Sequence, residues 1–373
     1  MRWVTRVSDG KVFVLDTVDW LEHEYTTSSV LRLKGVLGVD KGVIFPCFSL
    51  YRRYYGLHNL TIEGTHLSLQ FTPTDIILVK ARGNFEGKKL VVPSIVTQIH
   101  EGAFDNLKVG TLDVSHFNTI QVTNMNSMFD GCQAKELDVS HFDTSQVTDM
   151  NSMFNGCQAK SLDLSHFDTS KVLNMSYMFD RCKATELDVS HFDTSKVTDM
   201  RCMFSVCQAK ELNVSHFDTS QVTNMSCMFW GCQAIELDIA HFDTSSVTDM
   251  CYMFCGCQAK ELDVSHFDTS KVANVNSMFK NCPVKELDVS HFDTSQVTNM
   301  SYMFAGCQAM ELDVSHFNTS RVTNMNFMFS FCKAKELDVS HFDISNVKYF
   351  SHMFYGYNGV IIGKERFPKE VFK

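Results

Sequence analysis

The sequence predicts an α/β repeat solenoid: a right-handed stack with a parallel β-sheet and short helices, preceded by a small N-terminal α+β cap domain. Three observations carry that expectation. A leucine returns every 25 residues, from Leu112 through Leu137 and Leu162 to Leu337, in ten copies without an insertion. Within each copy the apolar residues first alternate with period two and then switch to helical spacing. No single copy has enough apolar surface to fold alone, so neighbours must complete one another's core.

Composition sets the outer bounds. The 373 residues are 44% hydrophobic, with 31 Phe and 20 Met, too apolar to stay unfolded in water. With 33 basic against 43 acidic side chains the formal charge is −10, which disfavours nucleic acid as a partner. Only 5 Pro and 18 Gly exclude a collagen-like or linker-like chain. No window approaches a membrane-spanning run of apolar residues. The start, Met1-Arg-Trp-Val-Thr-Arg-Val, has no apolar signal core, so a cytoplasmic chain with reduced thiols is the expectation for the 14 Cys.

Four segments follow in order: 1–86 without repeats, 87–109 as an irregular first repeat, 110–357 as ten 25-residue repeats, and 358–373 as a C-terminal cap. Residues 1–86 hold 10 basic and 9 acidic side chains, which leaves 23 against 34 in the rest, so the acidity belongs to the array. The front has β-rich pieces (Lys11-Val-Phe-Val-Leu15, Asp75-Ile-Ile-Leu-Val-Lys80) and an aromatic piece with helical character around Leu50-Tyr-Arg-Arg-Tyr-Tyr55.

In the second copy, Ala134, Leu137, Val139 and Phe142 fall at offsets 1, 4, 6 and 9, the inward positions of a leucine-rich-repeat-like unit. Leu137 and Val139 alternate with Asp138 and Ser140, the pattern of a half-buried strand. Ten such strands at ~4.8 Å would form a parallel sheet about 48 Å long. After Asp143-Thr-Ser145, residues Met150, Met153, Phe154 and Cys157 lie at i, i+3, i+4 and i+7, the stripe of a short helix. Thr148 would cap that helix and Gly156 would stop it.

This unit resembles the BspA-like leucine-rich repeat family, including its 25-residue Mycoplasma-lipoprotein form. The resemblance rests on Leu287-Asp-Val-Ser290, on Phe292-Asp-Thr-Ser-Gln-Val-Thr-Asn-Met300 and on Met303-Phe-Ala-Gly-Cys307. Leu90-Val-Val-Pro-Ser-Ile-Val-Thr-Gln-Ile99 with Glu101-Gly-Ala-Phe104 is similar to that family's longer unit. The resemblance implies a surface protein that adheres to host or matrix components, at the cell surface, and implies no chemistry. Ser8-Asp-Gly-Lys-Val-Phe-Val-Leu15 with Val43-Ile-Phe-Pro46 is faintly similar to the opening of Skp1/BTB domains.

Asp138, Ser140 and His141 have the residue types of a catalytic triad, but the trio recurs in every unit without a distinct pocket or oxyanion donor, so no catalytic residue is expected. The Cys ladder from Cys132 to Cys332 is read as buried and reduced, with no metal and no cofactor expected. Six N-x-S/T sequons, at Asn59, Asn174, Asn213, Asn224, Asn299 and Asn318, are by-products of the repeat. The His ladder, from His116 to His341, is either a coupled titrating strip or a row of spacers packed on Phe117-type neighbours.

Two surfaces remain as candidates. The first is a concave acidic strip made of Glu136, Asp138, His141, Asp163, Glu186, Asp188, Glu211, Glu236, Asp238, Glu261, Asp263, Glu286 and Asp288. Its alternative is a solvated face that only keeps the protein soluble. The second is a set of convex aromatics: Tyr177, Trp230, Tyr252, Tyr302 and Phe327. The expected function is a non-enzymatic protein–protein interaction scaffold whose partner the sequence does not identify, and its oligomeric state is equally unread. The alternatives are a surface adhesin exported by a non-obvious route, and a ubiquitin-ligase-type adaptor with a Skp1/BTB-like front.

Overall fold

The structure, a computed structural model, describes residues 98–115 and 117–372, preceded by strands at 2–5, 12–15, 58–62, 67–71, 76–81 and 84–91. Strands β1 (Arg2–Thr5) and β2 (Val12–Leu15) pair antiparallel. Strands β3 (His58–Ile62), β4 (Leu67–Phe71) and β5 (Ile76–Ala81) form an antiparallel meander, and β5 then pairs parallel with β7 (Gln98–Ile99). Strand β6 (Asn84–Val91) runs parallel to β8 (Lys108–Asp113), which runs parallel to β9 (Glu136–Leu137). Leu90 therefore faces Leu112, and Leu112 faces Leu137, so the leucine column begins one rung before the 25-residue period.

The expected α+β cap finds no support, since every described element before residue 98 is a strand. The Leu50–Tyr55 piece and the Val43–Pro46 part of the Skp1/BTB-like pattern lie outside the described residues. His116 lies outside them too. Among the described residues no helix is long and apolar enough to cross a membrane.

The short helix expected in each repeat is absent. Its stripe is buried as foreseen, with Met150, Met153, Phe154 and Cys157 all at 0% exposure, but the backbone is a run of tight turns. Met153, Asn155 and Cys157 N–H groups donate to the carbonyls three residues earlier. Ser152, Phe154 and Gly156 N–H groups instead donate to the next repeat, at Ser176, Met178 and Asp180 (2.7–2.9 Å). Alternating between these partners requires left-handed residues, and Ser152 and Gly156 sit at φ 55° and 60°. Gly156 is thus a turn residue rather than a helix stop. Thr148 caps nothing: its N–H and its hydroxyl both donate to the Thr123 carbonyl of the preceding repeat (2.8 and 3.2 Å).

The expected ten-stranded sheet is also cut down. Small parallel sheets stand at the two ends of the array, β6–β8–β9 and β10 (Glu336–Asp338) with β11 (Val360–Ile362). Between them the leucine segments make only an isolated bridge, Ser161 to Glu186. Each leucine segment ends in a turn, where the Asp138 carboxylate accepts from Ser140, and the same turn ends the strands Lys108–Asp113 and Glu336–Asp338. A continuous column of parallel bridges runs elsewhere, from Asn124–Asp149 to Asn324–Tyr349.

The core is a set of columns along the array. Phe104, Phe129, Phe154 and their equivalents stack face to face at 5.5–5.9 Å as far as Phe354. Phe142-type rings pack against that column at a tilt, 6.2–6.5 Å away. Thr144 and its equivalents are buried too, and from Thr144 to Thr319 each hydroxyl donates to a carbonyl of the next repeat, as Thr144 does to Asp168 (2.9 Å), whereas Thr119 Oγ1 has no partner among the described residues. The tail closes the column: Phe372 stacks on Phe354 at 5.3 Å and Phe367 meets it edge-on at 5.7 Å.

Candidate functional site

Three Asx turns build each repeat up to the ninth, and the last keeps two, with Tyr349 at the third position and Ser351 N–H donating to Asn326 Oδ1. Asp138 Oδ1 accepts from Ser140 N–H and Oγ (3.0 and 2.7 Å), Asp143 from Ser145 N–H (2.9 Å), and Asp149 from Asn151 N–H (2.9 Å). The recurrence of D-x-S is therefore explained by backbone turns before any ligand is invoked. The sequons have the same origin: Asn174, Asn213, Asn224, Asn299 and Asn318 each accept from the serine two residues on.

All thirteen residues of the acidic strip are exposed, but they divide by chemistry. Asp138, Asp163, Asp188, Asp263 and Asp288 each spend Oδ1 on the serine hydroxyl and N–H two residues later. Those bonds, the hydroxyl first, hold their carboxyls below the ordinary carboxylate value. Asp238, which faces Ala240, keeps only a long N–H contact of 3.4 Å. The glutamates are different. From Glu186 through Glu211, Glu236, Glu261 and Glu286 to Glu311 and Glu336, none makes a side-chain hydrogen bond or ion pair among the described residues. Glu136 accepts only from Thr111 Oγ1, at 3.3 Å. Glu311 and Glu336 belong to this column and were not in the expected set, although the 25-residue spacing places them there.

His141, His191 and His291 lean back, with Nε2 on the Val114, Leu164 and Val264 carbonyls (2.9–3.1 Å). Each ring is edge-on to its own phenylalanine, as His141 is to Phe142 at 5.2 Å. At these rungs serine and histidine do not face each other as nucleophile and base, because Ser140 Oγ donates to Asp138 and His141 turns to Val114. Among the described residues no group of three His, Cys, Asp or Glu side chains is placed to hold a metal ion.

The expected aromatics lie on the left-handed turns or next to them. Trp230 is exposed, and Tyr177, Tyr252, Tyr302 and Phe327 are half-buried. They do not form one surface. Arg201 lies over Tyr177 (5.7 Å) and Trp230 tilts on Tyr252 (6.0 Å). Tyr302, Phe327 and His352 stack in sequence at 4.8 Å spacings, with Lys280 Nζ 4.5 Å above Tyr302. Tyr355 joins edge-on to His352 and to Phe331, itself 53% exposed. Phe331 and His352 were missed by sequence reading, although they stand in the glycine and serine columns of the repeat.

Nine cysteines from Cys132 to Cys332 form a buried column with free thiols. Burial pushes the Cys157 thiol up to about 12 and the Cys207 thiol to about 11. Cys202, Cys227, Cys251 and Cys255 lie outside that column.

These features define a tandem-repeat protein with small parallel sheets, few helices and solvent-facing columns of identical groups. The chain belongs to the family described as "Mycoplasma protein of unknown function, DUF285", whose family model matches residues 98–215, 201–287 and 283–360. No curated protein and no solved structure matches it.

Proposed function

We propose that this chain is a non-enzymatic protein–protein interaction scaffold, a solenoid of the BspA-like leucine-rich-repeat type that presents a column of free carboxylates. The observation behind this reading is the run of seven consecutive rungs, Glu186 to Glu336, whose carboxylates have no partner within the described residues. Adjacent rungs stack their phenylalanines at 5.5–5.9 Å, so the column offers one glutamate charge per rung at close spacing. Such regularity suits a basic, extended protein segment better than an irregular epitope. The neighbouring aspartates contribute field more than contact, since one oxygen of each is committed to a turn.

Proximity labelling in the native cell would recover the partner. Its binding to the wild-type chain is then compared with that to a variant carrying Glu→Gln at 186, 211, 236, 261 and 286. Binding should weaken in the variant and with rising salt. Equal binding by both chains, or indifference to salt, refutes the strip.

A second reading, a surface adhesin, draws on the aromatic edge, where Phe331 and Tyr355 are 53% and 45% exposed. The scaffold reading places the chain in the cytoplasm, and the adhesin reading places it at the cell surface. Protease shaving of intact cells that express a tagged full chain separates the two.

A further inference from the structure

We propose that Cys202, Cys227 and Cys251 form a thiol-oxidation site, in which a peroxide joins Cys202 to Cys227 as a disulfide across adjacent repeats. Cys202 and Cys227 occupy the same left-handed turn position in successive rungs, at φ 54° and 57°. The rungs are bonded to each other at that point: Cys202 N–H donates to the Ser226 carbonyl (2.8 Å), and Cys227 N–H to the Cys251 carbonyl (2.7 Å). The Cys227 side chain neighbours those of both Cys202 and Cys251, and the Tyr177 hydroxyl neighbours Cys202, near enough for each pair to perturb the other's ionisation. Parallel backbones about 4.8 Å apart fall within the Cα separation that a disulfide spans, roughly 4.4–6.8 Å.

Access separates this trio from the core cysteines. Cys157, Cys182 and Cys207 are 0% exposed, whereas Cys202 is 8% exposed and Cys227 and Cys251 are half-buried. The environment also divides the roles. The neighbouring Cys227 side chain, against the opposing effect of burial, and then the Tyr177 hydroxyl and, against the Asp180 charge, Arg201 lower the Cys202 thiol, while Cys227, set between Cys202 and Cys251, is pushed up and held in its thiol form.

The Cys202 thiolate attacks a peroxide oxygen. An S–O bond forms, the O–O bond breaks, and with hydrogen peroxide the leaving oxygen takes up the proton as water, leaving a sulfenic acid. The Cys227 sulfur then attacks the Cys202 sulfur. The S–S bond forms, the S–O bond breaks, and hydroxide leaves with the Cys227 proton as a second water. Two thiols are oxidised and one peroxide is reduced. Cys251, in contact with Cys227, is the third thiol available for exchange.

The test uses the full reduced chain, treated with hydrogen peroxide, denatured, alkylated and mapped by mass spectrometry. The alkylatable thiols should fall by two from 14, with one dithiothreitol-reversible link between the peptides of Cys202 and Cys227 and no dimer on a non-reducing gel. In Cys227→Ser, Cys202 should stop at sulfenic acid and be trapped by dimedone. Serine already occupies this position at Ser127, Ser152 and Ser277, so the variant keeps the turn. Full alkylation of both cysteines after peroxide, a link found only between separate chains, or no dimedone adduct in Cys227→Ser would each overturn the site.

Discussion

Two regions of the same repeat obey different rules. In the segment from Glu136 to Ser145, side chains build the backbone: Asp138 and Asp143 each fold a turn by accepting from the serine two residues on. In the segment from Asn151 to Gly156, backbone bonds to the next repeat do that work, and the side chain at position 152 is freed while Met153 and Phe154 stay in the core. The first segment accordingly repeats almost unchanged. In the second, position 152 is occupied in other copies by Tyr177, Cys202, Phe327 and His352. Specific features of this chain, the thiol trio and the aromatic stack, accumulate on that freed segment. Uniform chemistry accumulates on the other.

The largest test removes what both segments share. Phe229→Ala interrupts the stacked column between Phe204 and Phe254 (5.9 Å on each side) and should cost about 3–5 kcal/mol. Hydrogen exchange should rise in the flanking repeats while distant ones stay protected, because coupling passes between neighbours. Uniform loss of protection across 110–357 would break the comparison at its root.

A smaller effect is expected where a side chain bonds across the rungs. Thr219→Val deletes the hydroxyl that donates to the Asp243 carbonyl (2.9 Å) and should cost about 1–2 kcal/mol in chemical denaturation.

Asp188→Ala should cost about 1 kcal/mol or less, its exposed carboxylate being screened, whereas Asp188→Asn should be close to neutral at pH 7. Asn213 already fills the equivalent turn, with Oδ1 accepting from Ser215 N–H and Oγ (3.1 and 2.7 Å). The Ser190 hydroxyl and N–H hold the Asp188 carboxyl below its ordinary value. Its contribution is therefore complete above the unfolded value near pH 4, and is lost as pH falls through the lower native value. Combining Asp→Asn at 138, 163, 188, 263 and 288 should move acid unfolding to lower pH. An unchanged acid midpoint would show that these turns do not govern acid stability.

On the freed segment the signs differ. Val206 holds φ 51° with a β-branched side chain in a column otherwise rich in glycine, so Val206→Gly should stabilise by about 1 kcal/mol. Tyr252→Ser should shift stability by about 0.5 kcal/mol or less, since serine stands in that column elsewhere. A large loss there would show that the aromatic edge is structural.

Much of this could be read from one sequence. Leu137, Val139, Phe142, Met150, Met153, Phe154 and Cys157 were expected inward from their spacing, and all are buried. The strip was expected exposed and is, but its division into bonded aspartates and free glutamates depends on where Ser140-type hydroxyls point. The meeting of Tyr302, Phe327 and His352, like that of Cys202, Cys227 and Cys251, depends on which neighbouring turns share a direction.

By itself the sequence determined the period, the residues that face inward, and the need for neighbours, because apolar spacing and repeat length are properties of the chain. Only the tertiary structure decided what backbone carries the Met150–Cys157 stripe. An isolated segment can satisfy its N–H groups only through local bonds, and its spacing then reads as a helix. A segment lying between two copies of itself has a second row of carbonyls within reach. With left-handed residues at Ser152 and Gly156, every other N–H group turns to that row.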